Sequence, residues 1–287
     1  MKVIGAPLPL LPFCQRLLPS RLAGLSLALL KATALELAIL AGHLLLYPYG
    51  ITPERRAPAD PPPPGGGAAQ LPTEAKPPVV LLHGFIDNRS VFVLLRRNLA
   101  QHGRRRMESL NYSPLTCDIR TAAELLGRHI EEICERTGSE RVDVVGHSLG
   151  GLIARYYVQR LGGDARVRTL VTLGTPHSGT RVAPLADAHP IVRQMRPGSP
   201  VIEELAAPAP GCRTHFVSFW SDLDHLMVPL ETARVDHPDL SAENIQVTGI
   251  GHLALPVHPA VAAGIRQALD TALPGEPTAP AGGLTVA

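Results

Sequence analysis

The sequence predicts an α/β fold in which a mostly parallel central sheet carries helices on both faces. Short apolar runs, at residues 79–82, 142–145 and 167–173, have the length and composition of buried strands. A helical pattern at residues 118–136 lies between two of them, with apolar positions recurring on one face and charged positions on the other. Strands that alternate with amphipathic helices in this way are typical of parallel sheets.

Composition limits the classes of function. The chain has 287 residues, enough for one α/β domain with a sizeable core and appendages. Its net charge is only +2, so we expect no nucleic-acid partner. The four cysteines show no C-x-x-C spacing, which argues against a zinc or thioredoxin-type site. The basic run at residues 104–106 is interpreted as a solvated turn, with contact to anionic lipid head groups as the alternative.

Composition also divides the chain into four parts. We predict an N-terminal hydrophobic segment at residues 1–50, a Pro/Gly-rich linker at 51–78, the α/β domain at 79–273 and a disordered tail at 274–287. The linker contains a run of four prolines followed by three glycines, a composition that cannot bury a core.

Residues 22–47 form an apolar stretch that, as a helix, would be long enough to cross a bilayer. Arg16 and Arg21 precede it, so the positive-inside tendency would place the chain after it outside the cytoplasm. Lys31 and Glu36 interrupt it, at a cost of about 2.5–3.5 kcal/mol each near a bilayer centre. Three interpretations follow: an uncleaved membrane anchor with an extracytoplasmic domain, an export signal of a secreted protein, or a helix docked on the domain or on a membrane surface.

Two polar residues in this segment share one helical face. Glu36 and His43 are seven positions apart, which places them on the same side of a helix. We expect that side to pack against another chain or against the α/β domain.

A strand-turn-helix segment at residues 142–152 carries the strongest functional signal. Its turn, Gly-His-Ser-Leu-Gly, matches G-x-S-x-G, in which the serine sits on a strained turn with its hydroxyl exposed above the sheet. Ser148 is therefore the predicted nucleophile. The helix that follows points its N-terminus at this serine, so backbone N–H groups are available for a developing oxyanion.

Two motifs together resemble a known family. The run Gly-His-Ser-Leu-Gly-Gly, followed by Thr-Leu-Gly-Thr-Pro-His-Ser-Gly-Thr at residues 172–180, is similar to the bacterial triacylglycerol lipases and esterases of the α/β-hydrolase fold. The resemblance covers roughly residues 78–273. It implies ester hydrolysis without a cofactor, and a small lid within residues 181–213. Some relatives bind a structural calcium, but no clustered acidic loop here predicts a metal.

The resemblance also implies positions for the oxyanion donors and for the triad acid. The donors would be the backbone N–H groups of Phe85, after His-Gly, and of Leu149, after the nucleophile. The acid would lie in the loop after residues 214–220, where Asp222 and Asp224 compete. Asp224 is preferred because it lies nearer the Val-Pro pair that follows, and Asp222 stays open as the alternative.

His252 is the predicted base because it follows the last strand and a Gly-x-Gly turn, completing the order Ser, Asp, His. His237 and His258 are the nearest alternatives. The sequence thus predicts a serine hydrolase acting on an ester or lipid substrate, associated with a membrane through residues 22–47. An acyltransferase or phospholipase would use the same triad, and an inactive membrane-tethered binding module is the remaining alternative.

Overall fold

The computed structural model describes residues 20–52, 76–85, 87–113, 118–181 and 189–271. Most of the predicted linker and the whole predicted tail lie outside these ranges, so neither prediction is tested. The predicted N-terminal helix is present as α1, Ser20–Ile51.

Within the described residues, twelve further α-helices and strands build the α/β domain. In chain order they are β1 Val79–Leu82, α2 Val93–Gln101, β2 Met107–Leu110, α3 Ile119–Thr137, β3 Val142–His147, α4 Leu149–Arg160, β4 Val167–Leu173, α5 Pro190–Gln194, α6 Pro200–Ala206, β5 His215–Ser221, β6 Ser241–Val247 and α7 Pro259–Thr271.

The six strands form one sheet in the order β2-β1-β3-β4-β5-β6, and every pair of neighbours is parallel. The chain adds β2 on one side of β1 and the later strands on the other. Ligands of open α/β sheets bind where the strand order reverses in this way, at the carboxyl ends of the strands. That point lies between β1 and β3, where Leu82 is paired with Gly146.

The strands alternate their side chains between two apolar layers. In β1, Val80 and Leu82 pack on the side covered by α3, α4 and α6, whereas Val79 and Leu81 pack on the side covered by α2 and α7. Such runs are apolar on both faces because a parallel sheet is buried on both faces. The predicted α/β architecture is confirmed.

Helix boundaries follow local signals in the sequence. Asp118 caps α3 by accepting a hydrogen bond from the N–H of Thr121, and Gly138 ends the same helix in the left-handed conformation. Ser199 caps α6, whose first residue is Pro200.

The interpretation of the basic run as a solvated turn is wrong for Arg104. Its guanidinium is 2% exposed and lies 2.9 Å from the carboxylate of Asp143, which is fully buried in β3. Arg168 contacts the same carboxylate at 2.7 Å. A carboxylate inside a strand needs compensating charge, and the chain draws Arg104 inward to supply it.

Helix α1 lies against the α/β domain with one side. Ala32, His43 and Gly50 are buried on that side, and the partly buried Ile39 packs on the sheet layer beneath α2 and α7. The opposite side is apolar and exposed, with Leu37, Leu44 and Leu45 among its residues.

Candidate active site

Ser148 occupies the sharp turn between β3 and α4. Its backbone has φ 52° and ψ −119°, and it is the one non-glycine residue with positive φ in the described chain. Such a conformation costs about 1–3 kcal/mol and persists only where the surroundings hold it. Here the Ser148 N–H donates to the carbonyl of Leu173 at 2.9 Å, and the hydroxyl of Thr175 donates to the Ser148 carbonyl at 2.9 Å.

The flanking glycines allow this turn to pack. A Cβ on Gly146 would lie 2.5 Å from the Cα of Gly151, and a Cβ on Gly150 would lie 2.4 Å from the carbonyl oxygen of Leu82. Both distances are too short for any side chain. The spacing of glycines around Ser148 therefore has a steric reason, namely that strand, turn and helix approach one another within van der Waals limits.

Asp224 and His252 meet at the carboxyl edge of the sheet. The Nδ1–H of His252 donates to Oδ2 of Asp224 at 2.7 Å, and both side chains are at least 96% buried. Asp224 also accepts a hydrogen bond from the N–H of Leu226 at 2.9 Å, which fixes its carboxylate. Asp222 contacts a different group, since its Oδ1 accepts from the N–H of Gly249 at 3.0 Å.

The alternative histidines lie elsewhere. His237 points its Nε2 at the carbonyl of Ala207 at 3.1 Å, and Nδ1 of His258 accepts from the N–H of Ala260 at 3.3 Å. Neither is among the residues that line the cavity at Ser148.

The carboxylates around His252 favour its protonated form more than water does around a free imidazole. Burial opposes protonation, but the carboxylate of Asp224, followed by more distant Glu36 and Asp87, raises the pKa of His252 above its ordinary value of 6.5. His147 behaves in the opposite way. Burial, then the charge of the nearby His252, lowers the pKa of His147 to about 3, so this ring is neutral at physiological pH.

A cavity of about 190 Å³ opens at these residues. Ser148 and His252 share its wall with Phe85, the predicted oxyanion donor after β1. Apolar side chains form much of the remainder: Val192, Met195, Leu226, Met227 and Leu253. Val192 and Met195 come from the short α5 region, where the sequence predicted a small lid.

Leu149, the other predicted donor, begins α4 and is fully buried. The structure thus brings Ser148, His252 and Phe85 to one cavity and places Asp224 behind His252. His83 and His177 are both buried. His83 stacks on Tyr112 with ring centroids 4.4 Å apart, and Nε2 of His177 lies 2.9 Å from the hydroxyl of Thr172.

Sequence reasoning missed Asp87, which also lines the cavity. Its Oδ1 lies 3.4 Å from Nδ1 of His43, and its Oδ2 lies 3.7 Å from Nδ1 of His147. Burial acts to raise the pKa of Asp87, but the neighbouring His43 and the other histidines prevail and lower it. The available signal was its position in the loop directly after the first central strand.

Comparison with known proteins agrees with this architecture. Residues 77–201 match the family described as alpha/beta hydrolase fold. The chain therefore has the α/β-hydrolase fold.

Sequence relatives extend the comparison. A triacylglycerol lipase of Pseudarthrobacter phenanthrenivorans is 29% identical over 114 residues, which cover 37% of this chain and 35% of the relative. A triacylglycerol lipase of Burkholderia plantarii is also 29% identical over 114 residues, covering 37% of this chain and 31% of the relative. The match spans about a third of the length of these curated relatives. The resemblance to lipases that the motifs predicted is confirmed.

Solved structures share the fold at low sequence identity. The mature form of a Bacillus licheniformis lipase aligns with a TM-score of 0.58 and 17% identity, covering 71% of this chain and 96% of that one. Aspergillus fumigatus lipase B aligns with a TM-score of 0.61 and 17% identity, covering 69% of this chain and 53% of that one. A bacterial membrane phospholipase A aligns with a TM-score of 0.50 and 18% identity, covering 88% of this chain and 98% of that one.

Proposed function

We propose that this protein is a serine hydrolase of carboxylic esters, a lipase or esterase, in which Ser148 is the nucleophile, His252 the base and Asp224 the residue that orients the base. The 2.7 Å contact between His252 and Asp224 carries the proposal, because the same histidine shares a cavity wall with Ser148. A serine hydroxyl is a weak nucleophile, and this arrangement supplies the base and the fixed tautomer that activate it.

The reaction has two balanced steps. His252 removes the hydroxyl proton as Ser148 Oγ attacks the ester carbonyl. The oxyanion that forms accepts hydrogen bonds from the backbone N–H groups of Phe85 and Leu149. The carbon–oxygen bond to the leaving alcohol then breaks, and His252 gives that alcohol its proton. In the second step water attacks the carbonyl of the acyl-enzyme and His252 again removes the proton. The acid is released, and His252 returns the proton to Ser148.

The cavity favours short to medium acyl chains. Its volume of about 190 Å³ is below the roughly 300–1,000 Å³ typical of ligand pockets, and its wall is mainly apolar. Met195 and Val192 close one side, so they limit the length of the acyl group.

The apolar outer side of α1 favours a substrate presented at a membrane. Within the described residues, Leu30–Ile51 is long and apolar enough to cross a bilayer, with a mean hydropathy of 1.4. Only 6% of this apolar stretch is buried within the protein. We place membrane association on this helix, with the catalytic domain outside the cytoplasm, either anchored or secreted. A lipid ester at this surface would also suit a phospholipase or acyltransferase, which differ only in substrate or acyl acceptor.

The full-length protein in detergent micelles provides the test. We expect hydrolysis of p-nitrophenyl esters between C2 and C16, and covalent labelling by a fluorophosphonate that Ser148→Ala abolishes. Product analysis with added alcohol or lysolipid separates hydrolase from acyltransferase. A folded protein that neither hydrolyses these esters nor reacts with the fluorophosphonate would instead be a membrane-tethered binding module.

A further inference from the structure

Glu36 is an acidic residue in an otherwise apolar helix, and the structure shows where its carboxylate goes. Oε2 accepts a hydrogen bond from the N–H of Leu253 at 2.9 Å, and Oε1 accepts one from the N–H of Ala254 at 2.9 Å. These are the two residues directly after His252. A carboxylate that receives two N–H groups forms charge-assisted hydrogen bonds, about twice as strong as neutral ones.

Gly251, the residue directly before His252, leaves the space that Glu36 occupies in this contact. A Cβ on Gly251 would lie 2.4 Å from Cδ of Glu36 and 2.6 Å from its Cγ. The absence of a side chain at this position is therefore what lets Glu36 approach. Helix α1 thus contacts the loop on both sides of His252.

From this geometry we propose that Glu36 is a positioning residue, which fixes the loop carrying His252 and so makes docking of α1 a condition of full activity. The inference rests on the proposed role of His252 as the base. Glu36 does not line the cavity, so it acts through the loop and not through contact with the substrate.

The rest of α1 is held independently of Glu36. The amide of Asn88 donates to the carbonyl of Tyr47 at 2.9 Å, and the guanidinium of Arg89 donates to the carbonyl of Tyr49 at 3.0 Å. These contacts join the C-terminal end of the helix to the loop after β1. Loss of the Glu36 carboxylate therefore releases the His252 loop while the helix end stays docked.

The same contact has an electrostatic signature. His252 faces Asp224 from the loop after β5, Asp87 from the loop after β1, Glu36 from α1 and the neutral His147 from β3. The charge of Glu36 acts with those of Asp224 and Asp87 to raise the pKa of His252. Removal of that charge should therefore move the acidic limb of activity to lower pH.

The first experiment compares Glu36→Gln and Glu36→Ala with wild type as full-length proteins in detergent. Lys31→Gln is the matched control, because it removes an exposed charge from the same helix. With p-nitrophenyl butyrate we expect kcat to fall between about tenfold and 10²-fold in both Glu36 variants, the scale of a displaced catalytic group, with little change in KM. In Glu36→Gln the acidic limb of kcat/KM shifts to lower pH, which a purely structural role would not produce.

A second experiment approaches the contact from the other side. Gly251→Ala should displace the Glu36 carboxylate and reduce kcat. In the Glu36→Ala background the three atoms nearest to the added Cβ are gone, so the same substitution should add little. The double variant is then as active as Glu36→Ala alone. Such non-additivity is expected of residues that contact each other, and not of distant, independent sites.

The outcomes separate this inference from the proposed function. Fluorophosphonate labelling of Ser148 together with wild-type kcat and pH profile in both Glu36 variants overturns the role of Glu36 and leaves the hydrolase intact. Additive effects of Gly251→Ala and Glu36→Ala overturn it as well. A wild-type protein with no turnover and no labelling removes both proposals. If Glu36→Ala does not fold, the isosteric Glu36→Gln and Gly251→Ala decide.

Discussion

Asp224 accepts a hydrogen bond from the imidazole of His252 at 2.7 Å, whereas Asp222, two residues earlier, accepts one from the backbone N–H of Gly249 at 3.0 Å. The two aspartates that compete in the sequence therefore have different partners. One is fully buried behind the imidazole, and the other holds an exposed turn before it.

We expect Asp224→Asn to reduce kcat at least about 10²-fold, because an amide in place of the carboxylate neither fixes the imidazole tautomer nor stabilises its charged form. Asp222→Asn keeps an oxygen acceptor for Gly249 and should remain within about twofold of wild type. Steady-state kinetics with p-nitrophenyl butyrate measure both. A larger loss in Asp222→Asn would contradict this assignment of the acid.

The pH profile of the wild-type enzyme follows from the charges around His252. The base must be neutral to accept the proton of Ser148, and its pKa lies above 6.5. Activity should therefore be lost as the pH falls through that raised value, so the midpoint of the acidic limb of kcat/KM lies above pH 6.5. A midpoint at or below 6.5, measured across buffers of equal ionic strength, would show that the carboxylates do not prevail over burial.

Local pattern was sufficient to predict the strands at residues 79–82, 142–145 and 167–173, the nucleophile turn and the helix at residues 118–136. The strand at 167–173 and that helix depend on neighbours in the sequence, and both agree with the structure. The contact of Glu36 with Leu253 joins residues 217 positions apart, and no periodicity contains that information. The side of α1 that bears Glu36 and His43 was predicted to pack, but its partner required the tertiary structure.

One error in the sequence analysis has a physical cause. Arg104 belongs to a basic run that looks solvated, yet Asp143 within an apolar strand requires it inside.

The buried cluster around Asp143 leads to a prediction about stability. Asp143→Asn removes the fully buried carboxylate that Arg104 and Arg168 share, and leaves the guanidinium of Arg104 with the half-exposed carboxylate of Asp270 at 3.0 Å. We expect the free energy of unfolding to fall by about 1–3 kcal/mol, the cost of losing a buried hydrogen-bond partner of a charged group. Urea denaturation followed by tryptophan fluorescence measures it.

An exposed ion pair is the control for that measurement. Arg213 is 71% exposed and lies 3.8 Å from Asp164, so Arg213→Gln should change the free energy of unfolding by at most about 1 kcal/mol. Equal losses of unfolding free energy in the two variants would mean that the buried Asp143 cluster stabilises the protein no more than an exposed ion pair does.

The glycine after the nucleophile is a further test of the turn. Gly150→Ala places a Cβ 2.4 Å from the backbone oxygen of Leu82, which cannot move without shifting β1. We expect a loss of about 1–3 kcal/mol in stability together with reduced kcat. Gly42→Ala, whose Cβ would meet open space in α1, is the matched control and should leave kcat unchanged. A stable and fully active Gly150→Ala would refute the steric account of the turn.

The side wall of the cavity should set acyl-chain preference. Met195 lines the cavity beside Ser148, and its truncation in Met195→Ala removes three heavy atoms from that wall. We expect the optimum of kcat/KM in a p-nitrophenyl ester series to move to longer chains. Each added methylene that is buried in the enlarged cavity then contributes about 0.8 kcal/mol of favourable transfer free energy. Leu94→Ala removes a similar apolar volume from an exposed site and should leave the profile in place. An unchanged optimum in Met195→Ala would show that the acyl group leaves the cavity by another side, away from α5.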